Sequence, residues 1–444
     1  MQIKLPDKVK LIIETLATAG YEAYAVGGCV RDSVLGRIPN DWDITTSAKP
    51  DEIKGLFGRT IDTGIKHGTV TVMLDKEGFE VTTYRIDGDY EDGRHPKEVT
   101  FTASLEEDLK RRDFTVNAMA YNEKSGLVDL FCGMQDIEQG VIRCVGNAEE
   151  RFTEDALRML RAVRFSAQLG YRIEEETKQA IHRLAPNLRI ISAERIQAEL
   201  VKLVVSEHPD YLRCAYETGI TKYILPEFDI CMETAQNNPH HCYSVGEHIL
   251  HSMQEVAPDK VLRLGMLFHD IGKPQTLTID EAGITHNKGH AVVGERMTRE
   301  IMHRLKFDND TIGKVTRIVL YHDQGIEPTD SGVRRAVNRM GEDIFPLLFH
   351  VRYADIQAQS DYKKEEKLKR LGYIKKIYDG ICNRQECLSL KDLAVSGKDL
   401  LALGIPAGKE IGALLNELLE LVLDEPQRNN REELLSVILS NRFT

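Results

Sequence analysis

Across 444 residues there is one tryptophan, and the eight cysteines include no pair spaced as CxxC. They stand at 29, 132, 144, 214, 231, 242, 382 and 387. That scatter excludes a disulfide framework or a Cys-rich zinc site and points to a reducing, cytoplasmic setting. No apolar run approaches the roughly 20 residues of a spanning helix. The opening residues MQIKLPDKVK hold no apolar stretch before a cleavage site, so neither a membrane partner nor a secretory leader is expected. Excess positive charge is lacking as well: 58 Lys and Arg stand against 70 Asp and Glu, a net −12. Total charge does not mark a nucleic-acid binder, so any RNA path must lie in a local basic cluster. Repeats and low-complexity stretches are missing. What remains is 42% hydrophobic and 29% charged, an ordinary globular chain long enough for about three domains.

The pattern predicts an α+β fold, a small N-terminal α/β head followed by a long all-α body. Val9, Ile12, Ile13 and Leu16 share one face, and Gly20 follows, which reads as a helix over 8–19. A strand is expected over 21–26, then Gly27-Gly28, a helix near 30–35 and a strand over 41–46. The β-rich runs 67–74 and 79–86 flank DKEG, a hairpin signal. Residues 87–98, polar and marked by Gly and Pro, read as a mobile loop. Helical periodicity then dominates, at 154–169, 193–205, 246–256, 260–270, 291–305, 311–322, 410–423 and 431–440.

AVGGCVRDSVL (25–35) and NDWDIT (40–45) are the first chemical signal. Gly27 and Gly28 let backbone N–H groups approach an anion at a helix start. Asp41 and Asp43 at i and i+2 on a strand share a face. Two crowded carboxylates want a cation between them, and Mg²⁺ favours carboxylates plus substrate phosphates. Glu80, in FEVTTYRID, is a candidate third ligand on a neighbouring strand. In KRRDFTVNAMAY (110–121), Arg111 and Arg112 have the fork geometry that suits a triphosphate.

Together GGCVRD, DWD, FEVTTYRID, the loop bearing Arg94-His95-Pro96, RRDFTVNAMA and DLFCGMQDIEQGVIRCVG (129–146) resemble the class II tRNA nucleotidyltransferase / poly(A) polymerase family, in order from about residue 20 to 205. The resemblance implies a polymerase-β-like sheet in the head and catalysis by Asp41, Asp43 and Glu80 with Mg²⁺. It further implies nucleotide binding by Gly27, Gly28, Arg31, Asp32, Arg111, Arg112, Asp113 and Asn117, followed by Asp155, Arg158, Arg161 and Arg164. The acceptor it implies is tRNA, extended by CCA from CTP and ATP without a nucleic-acid template.

Chemistry supports that reading of EDALR (154–158). Asp only accepts hydrogen bonds and Arg only donates. Cytosine and adenine each show an amine beside a ring acceptor, which an Asp–Arg pair satisfies. Guanine and uracil show the reverse, and unpaired polar groups reject them. On one helix, Asp155 and Arg158 would share a face. Residues 151–203 hold eight Arg and two Lys against seven acids, a local +3. Arg161, Arg164, Arg172, Arg183, Arg189 and Arg195 are therefore candidate phosphate contacts.

Ten of the 14 histidines lie between His240 and His350. His269-Asp270 at a helix end, with a distant His and a later Asp, can close around one divalent ion. The pattern resembles the HD phosphohydrolase superfamily, which implies His248, His269, Asp270 and Asp355 as ligands of a divalent metal. His290 and His322 are candidates for a second ion, and Lys273 for a phosphate contact. The expected organisation is a nucleotidyltransferase head over 1–145, a base-reading neck over 146–205, an HD metal-binding domain over 206–375 and a tRNA-binding helical tail over 376–444. Three rivals stay open. The first is an enzyme that adds only CC or only A, or a poly(A) polymerase. The second is an HD phosphohydrolase with an RNA-binding head, and the third a non-catalytic RNA-binding protein.

Overall fold

The computed structural model describes residues 2–88 and 99–442. The expected loop over 87–98, with its Arg94-His95-Pro96, lies mostly outside them. The chain forms two compact units, Met1–Asp229 and Ile230–Thr444. Residues 206–229 thus group with the first unit, although a boundary was expected near 205. No helix of the described residues is long and apolar enough to cross a membrane. All eight cysteines are free.

The first unit opens with α1 (Asp7–Thr18), which buries Val9, Ile12, Ile13 and Leu16 as its spacing predicts. There follow β1 (Ala23–Val26), α2 (Gly28–Val34), β2 (Ile44–Thr46), α3 (Pro50–Leu56), β3 (Thr60–Gly64), β4 (Thr69–Leu74) and β5 (Glu77–Thr83). β6 (Arg85–Asp87) pairs with β7 (Val99–Phe101), and α4 (Leu105–Lys110), β8 (Met119–Asn122), β9 (Gly126–Asp129) and α5 (Gly133–Gln139) complete the head. Seven strands form one sheet in the order β3-β4-β5-β2-β1-β8-β9. β4 and β5 form the expected hairpin, turning at Asp75, which takes φ 56°. Within the sheet β2 and β5 run parallel, Ile44 opposite Val81, and the other pairs are antiparallel. Ile44, Val70, Val72, Val81 and Met119 carry the core onto α1. Behind the head, α6 (Ala148–Glu154), α7 (Leu157–Leu169), α8 (Glu175–Leu184) and α9 (Ala193–Val204) are amphipathic helices; α7 and α9 pack together.

The second unit is almost wholly helical. Helices Val245–Gln254, Lys260–Phe268, His290–Arg304, Asn309–Tyr321 and Phe345–Gln357 gather the histidines. A separate core of Leu400, Leu418, Leu419, Val422, Leu423, Leu434 and Ile438 holds the tail.

Candidate functional site

Asp41 and Asp43 do not lie on a strand. The β2 ladder begins at Ile44, and both acids precede it, so the strand-face rule does not apply to them. Their main chain is nonetheless held, since Val26 N–H donates to the Asp43 carbonyl at 2.9 Å. The parallel register of β2 and β5 sets Asp43 level with Glu80. All three side chains reach solvent at the surface, yet the surrounding walls partly desolvate two of them. That desolvation raises the Asp43 carboxyl above its ordinary pKa, with Arg112 opposing and Asp41 adding. Glu80 is raised by desolvation and then by the charges of Asp43 and Asp41. Carboxylates that disfavour one another's charge are a donor set that fits hard divalent cations.

The glycine turn borders this cluster. Gly27 has φ +82°, which favours glycine, and a Cβ there would also stand 3.0 Å from Arg112 Nη1. Arg111 and Arg112 are anchored on Asp108, which is fully buried at the end of α4, with contacts of 2.6 and 3.4 Å. The Thr45 hydroxyl donates to the same carboxylate at 3.0 Å. Burial alone would raise the Asp108 carboxyl, but Arg111 and Arg112 hold it below the usual range. Nothing in EEDLKRRD distinguishes this acid from its exposed neighbours, and the sequence reading missed it.

Five expected nucleotide ligands form a chain of side chains with one another. Arg31 is buried and donates to Asp32 Oδ1 at 2.8 Å and to Asn117 Oδ1 at 2.5 Å. Asn117 donates to Asp113 Oδ1 at 3.3 Å, and Asp113 Oδ2 accepts from Arg161 at 2.6 Å. Burial opposes charge on Asp113, but Arg161 outweighs it and holds the carboxyl well below its usual range. Arg164 is also corrected. It is buried, 2.7 Å from Glu199 Oε2, and its guanidinium lies 3.5 Å from the Phe165 ring centroid. An interior cation already paired with Glu199 is packing, not a phosphate contact. Glu199 went unrecognised because an acid on α9 reads as solvated until its partner is known.

The expected helix through EDALR is broken. α6 ends at Glu154 and α7 starts at Leu157; Asp155 between them is extended, φ −141° and ψ 103°. Its Oδ1 accepts from the Leu157 N–H at 3.0 Å, the local bond by which Asp favours a cap over a helix interior. Arg158 lies 2.6 Å from Glu154 Oε2. Arg195, expected at a phosphate, is 2.6 Å from Asp155 Oδ2.

In the second unit the structure brings His248, His269, Asp270 and Asp355 together. His248 Nε2 lies 3.2 Å from His269 Nε2, 2.9 Å from Asp355 Oδ1 and 3.4 Å from Asp270 Oδ2. His290 and His322 adjoin them, their Nε2 atoms 3.2 Å apart and 3.5 and 3.7 Å from Asp270 Oδ1. The four Nδ1 atoms sit 2.7–3.2 Å from backbone carbonyls of Ala358, Met266, Asn287 and Val319. An Nδ1–H donated to a carbonyl leaves the inward Nε2 with its lone pair, the tautomer of a metal-bound imidazole. Nε2 lone pairs facing one another at 3.2 Å repel unless a cation lies between them. The residues therefore fit one divalent ion at His248, His269, Asp270 and Asp355, and a second at His290 and His322 with Asp270 between the two. Lys273 is buried, 2.6 Å from Asp270 Oδ2 and 3.0 Å from Gln236 Oε1. The cluster opens on a cavity of about 260 Å³ that Lys273, Thr285 and His241 help to line. Burial, with Lys273 and His248 nearby, pushes the His241 imidazole down to about 3.

Gly272 carries this arrangement. A Cβ there would lie 2.3 Å from the His290 carbonyl oxygen and 2.6 Å from Gly294 N, both main chain. Gly272→Ala is expected to separate the His269-Asp270 turn from the helix bearing His290. Overpacking of ~1–3 kcal/mol should lower the melting temperature by about 5 °C, and elemental analysis should find less bound transition metal.

Known proteins resemble this chain in sequence and in fold. Residues 23–143 match the Poly A polymerase head domain family, 170–232 the family of the RNA-binding site of polymerase A, and 290–438 the family of tRNA nucleotidyltransferase domain 2. The solved structure of the Bacillus stearothermophilus CCA-adding enzyme in complex with CTP superposes with a TM-score of 0.74 at 30% identity, covering 99% of each chain. The chain belongs to the CCA-adding enzyme family. Curated members of this family include CCA-adding enzymes of Lactiplantibacillus plantarum, 56% identical over 45% of this chain and 49% of that one, and of Geobacillus thermodenitrificans, 53% identical over 48% and 53%. The matched stretch thus spans about half the length of these curated relatives. The Thermotoga maritima CCA-adding enzyme complexed with tRNA shares the fold, TM-score 0.56 at 21% identity over 99% of this chain and 100% of that one.

Proposed function

We propose that this chain adds CCA to the 3′ end of tRNA from CTP and ATP, with side chains in place of a nucleic-acid template. The observation that carries the reading is the placement of Asp43 level with Glu80 by the parallel β2–β5 register, beside the Gly27 turn and with Asp41 two residues before Asp43. These acids would hold divalent cations, for which Mg²⁺ is the natural choice among hard ions. Held there, such cations would supply positive charge to favour ionisation of a 3′ hydroxyl and to stabilise a departing pyrophosphate. Arg111 and Arg112, braced by Asp108, present fixed guanidinium groups toward the triphosphate. Asp155 accepts from the exocyclic amine of cytosine or adenine, and Arg158 donates to the adjacent ring nitrogen. Each side chain has the wrong hydrogen-bonding sense for uracil and guanine. Purified protein and tRNA lacking its CCA end, given CTP and ATP together, with each nucleoside triphosphate alone as a control and the products sequenced, test the reading. Full CCA from the mixture supports it; CC alone, A alone or a poly(A) tract from the mixture overturns it in favour of the corresponding rival.

Asp155→Ala and Arg158→Ala are each expected to narrow the preference for CTP over UTP by roughly tenfold to a hundredfold, as a base contact is worth about 1–3 kcal/mol of discrimination. Steady-state kinetics with all four nucleotides measure this, and unchanged preference in both variants means the bases are read elsewhere.

A second reading concerns the second unit. The four inward Nε2 atoms around Asp270 support a divalent-metal phosphohydrolase centre of the HD kind, independent of nucleotide addition. Imidazole and carboxylate donors suit Mn, Fe, Ni, Zn or Mg.

A further inference from the structure

The Asp155 carboxylate is fixed at two points. Oδ1 accepts from the Leu157 N–H at 3.0 Å, and Oδ2 accepts from Arg195 Nη2 at 2.6 Å. Arg195 comes from α9, and the two side chains are only 20% and 14% exposed. Arg158 has a different counter-ion, Glu154 at 2.6 Å, and donates to the carbonyls of Arg151 and Arg111, each at 3.2 Å. Local chemistry favours another allocation. Asp155 and Arg158 carry opposite charges three residues apart in sequence, and joined to one another their acceptor and donor would be satisfied internally. Among the described residues, the ion-pair partner of Asp155 is instead Arg195.

We propose that Arg195 is a positioning residue that sets nucleotide choice, holding Asp155 as a fixed acceptor apart from Arg158 so that both stay open to a base edge. The inference rests on the base-reading assignment above. Each carboxylate oxygen can accept two hydrogen bonds. With one site on Oδ1 taken by Leu157 and one on Oδ2 by Arg195, each oxygen keeps a lone pair for an exocyclic amine. The two anchors also remove rotation of the carboxylate, so a uracil or guanine carbonyl meets an acceptor that cannot turn away. Without Arg195 the carboxylate is free to swing onto Arg158, and the template closes on itself.

The test compares Arg195→Met, Arg195→Lys, Asp155→Ala and the double variant Asp155→Ala, Arg195→Met in the full chain. The readouts are kcat and KM for each of the four nucleotides on tRNA lacking its CCA end, with melting temperature and tRNA affinity as controls. Arg195→Met is expected to lower the ratio of CTP to UTP kcat/KM about tenfold and to raise KM for CTP more than it changes kcat. Arg195→Lys restores most of the ratio, and adding Arg195→Met to Asp155→Ala costs no further discrimination, as expected for one coupled unit. A uniform loss over all four nucleotides with the ratio intact overturns the proposal, and so does full additivity in the double variant. If Asp155→Ala itself leaves the ratio unchanged, the base-reading assignment has failed. If Asp155→Ala collapses the ratio while Arg195→Met does not, only the role of Arg195 has failed. Should the methionine variant not fold, Arg195→Gln is read by the same outcomes.

Discussion

Asp43→Ala is expected to reduce nucleotide addition at least about a thousandfold while leaving tRNA affinity within about twofold. Losing several kcal/mol of metal-supplied charge stabilisation, at tenfold per about 1.4 kcal/mol, gives that magnitude. Affinity for tRNA persists because phosphate contacts on a basic surface do not depend on one carboxylate. Asp41→Ala is expected to behave alike. Glu80→Gln keeps the shape of the side chain and removes its charge, so it isolates the third ligand's contribution; its desolvated position beside Asp43 and Asp41 predicts a clear loss. Single-turnover incorporation with filter binding on the same preparations measures both quantities. Near wild-type incorporation by Asp43→Ala would remove the carboxylate cluster from the mechanism.

The double variant His269→Ala, Asp270→Ala should lose all divalent-metal phosphohydrolase activity on 2′,3′-cyclic phosphate or p-nitrophenyl phosphate and still add nucleotides. Asp270 has an oxygen toward each group of histidines, so its removal would take a ligand from both candidate sites at once. Ligand loss weakens metal uptake, and elemental analysis should show the drop directly. Lys273 would lose its counter-ion, leaving a buried ammonium unpaired, so the variant's melting temperature is expected to fall as well. Wild-type protein that binds no metal and hydrolyses no phosphoester would make the cluster a scaffold. A folded double variant unable to add nucleotides would show that the two centres are coupled.

Legibility differed by the range of the interaction. α1, the β4–β5 hairpin and the long helices of the second unit follow from periodicity, because burial of one face is a local pattern repeated along the chain. The cluster of His248, His269, Asp270 and Asp355 was readable as a group because ligand chemistry restricts residue type, and His269-Asp270 at a helix end is an uncommon juxtaposition. The break at Asp155 was not readable from periodicity, which placed a helix over 154–169 where α7 starts only at Leu157. Only the cap formed by the Asp155 side chain ends one helix and starts the next.

The sequence by itself determined the chemistry available: which side chains accept, which donate and which bind hard cations, together with their order along two kinds of architecture. Tertiary structure alone decided which of those groups remain available. Arg31, Asn117, Asp113 and Arg161 are all suited to a nucleotide by type, yet they bond to one another. Arg164 is drawn inward by Glu199, 35 residues away, and Asp155 is claimed by Arg195, 40 residues away. A charged side chain's partner is set by distance in space, and a pairing between separate helices leaves no periodic trace in the sequence of either one.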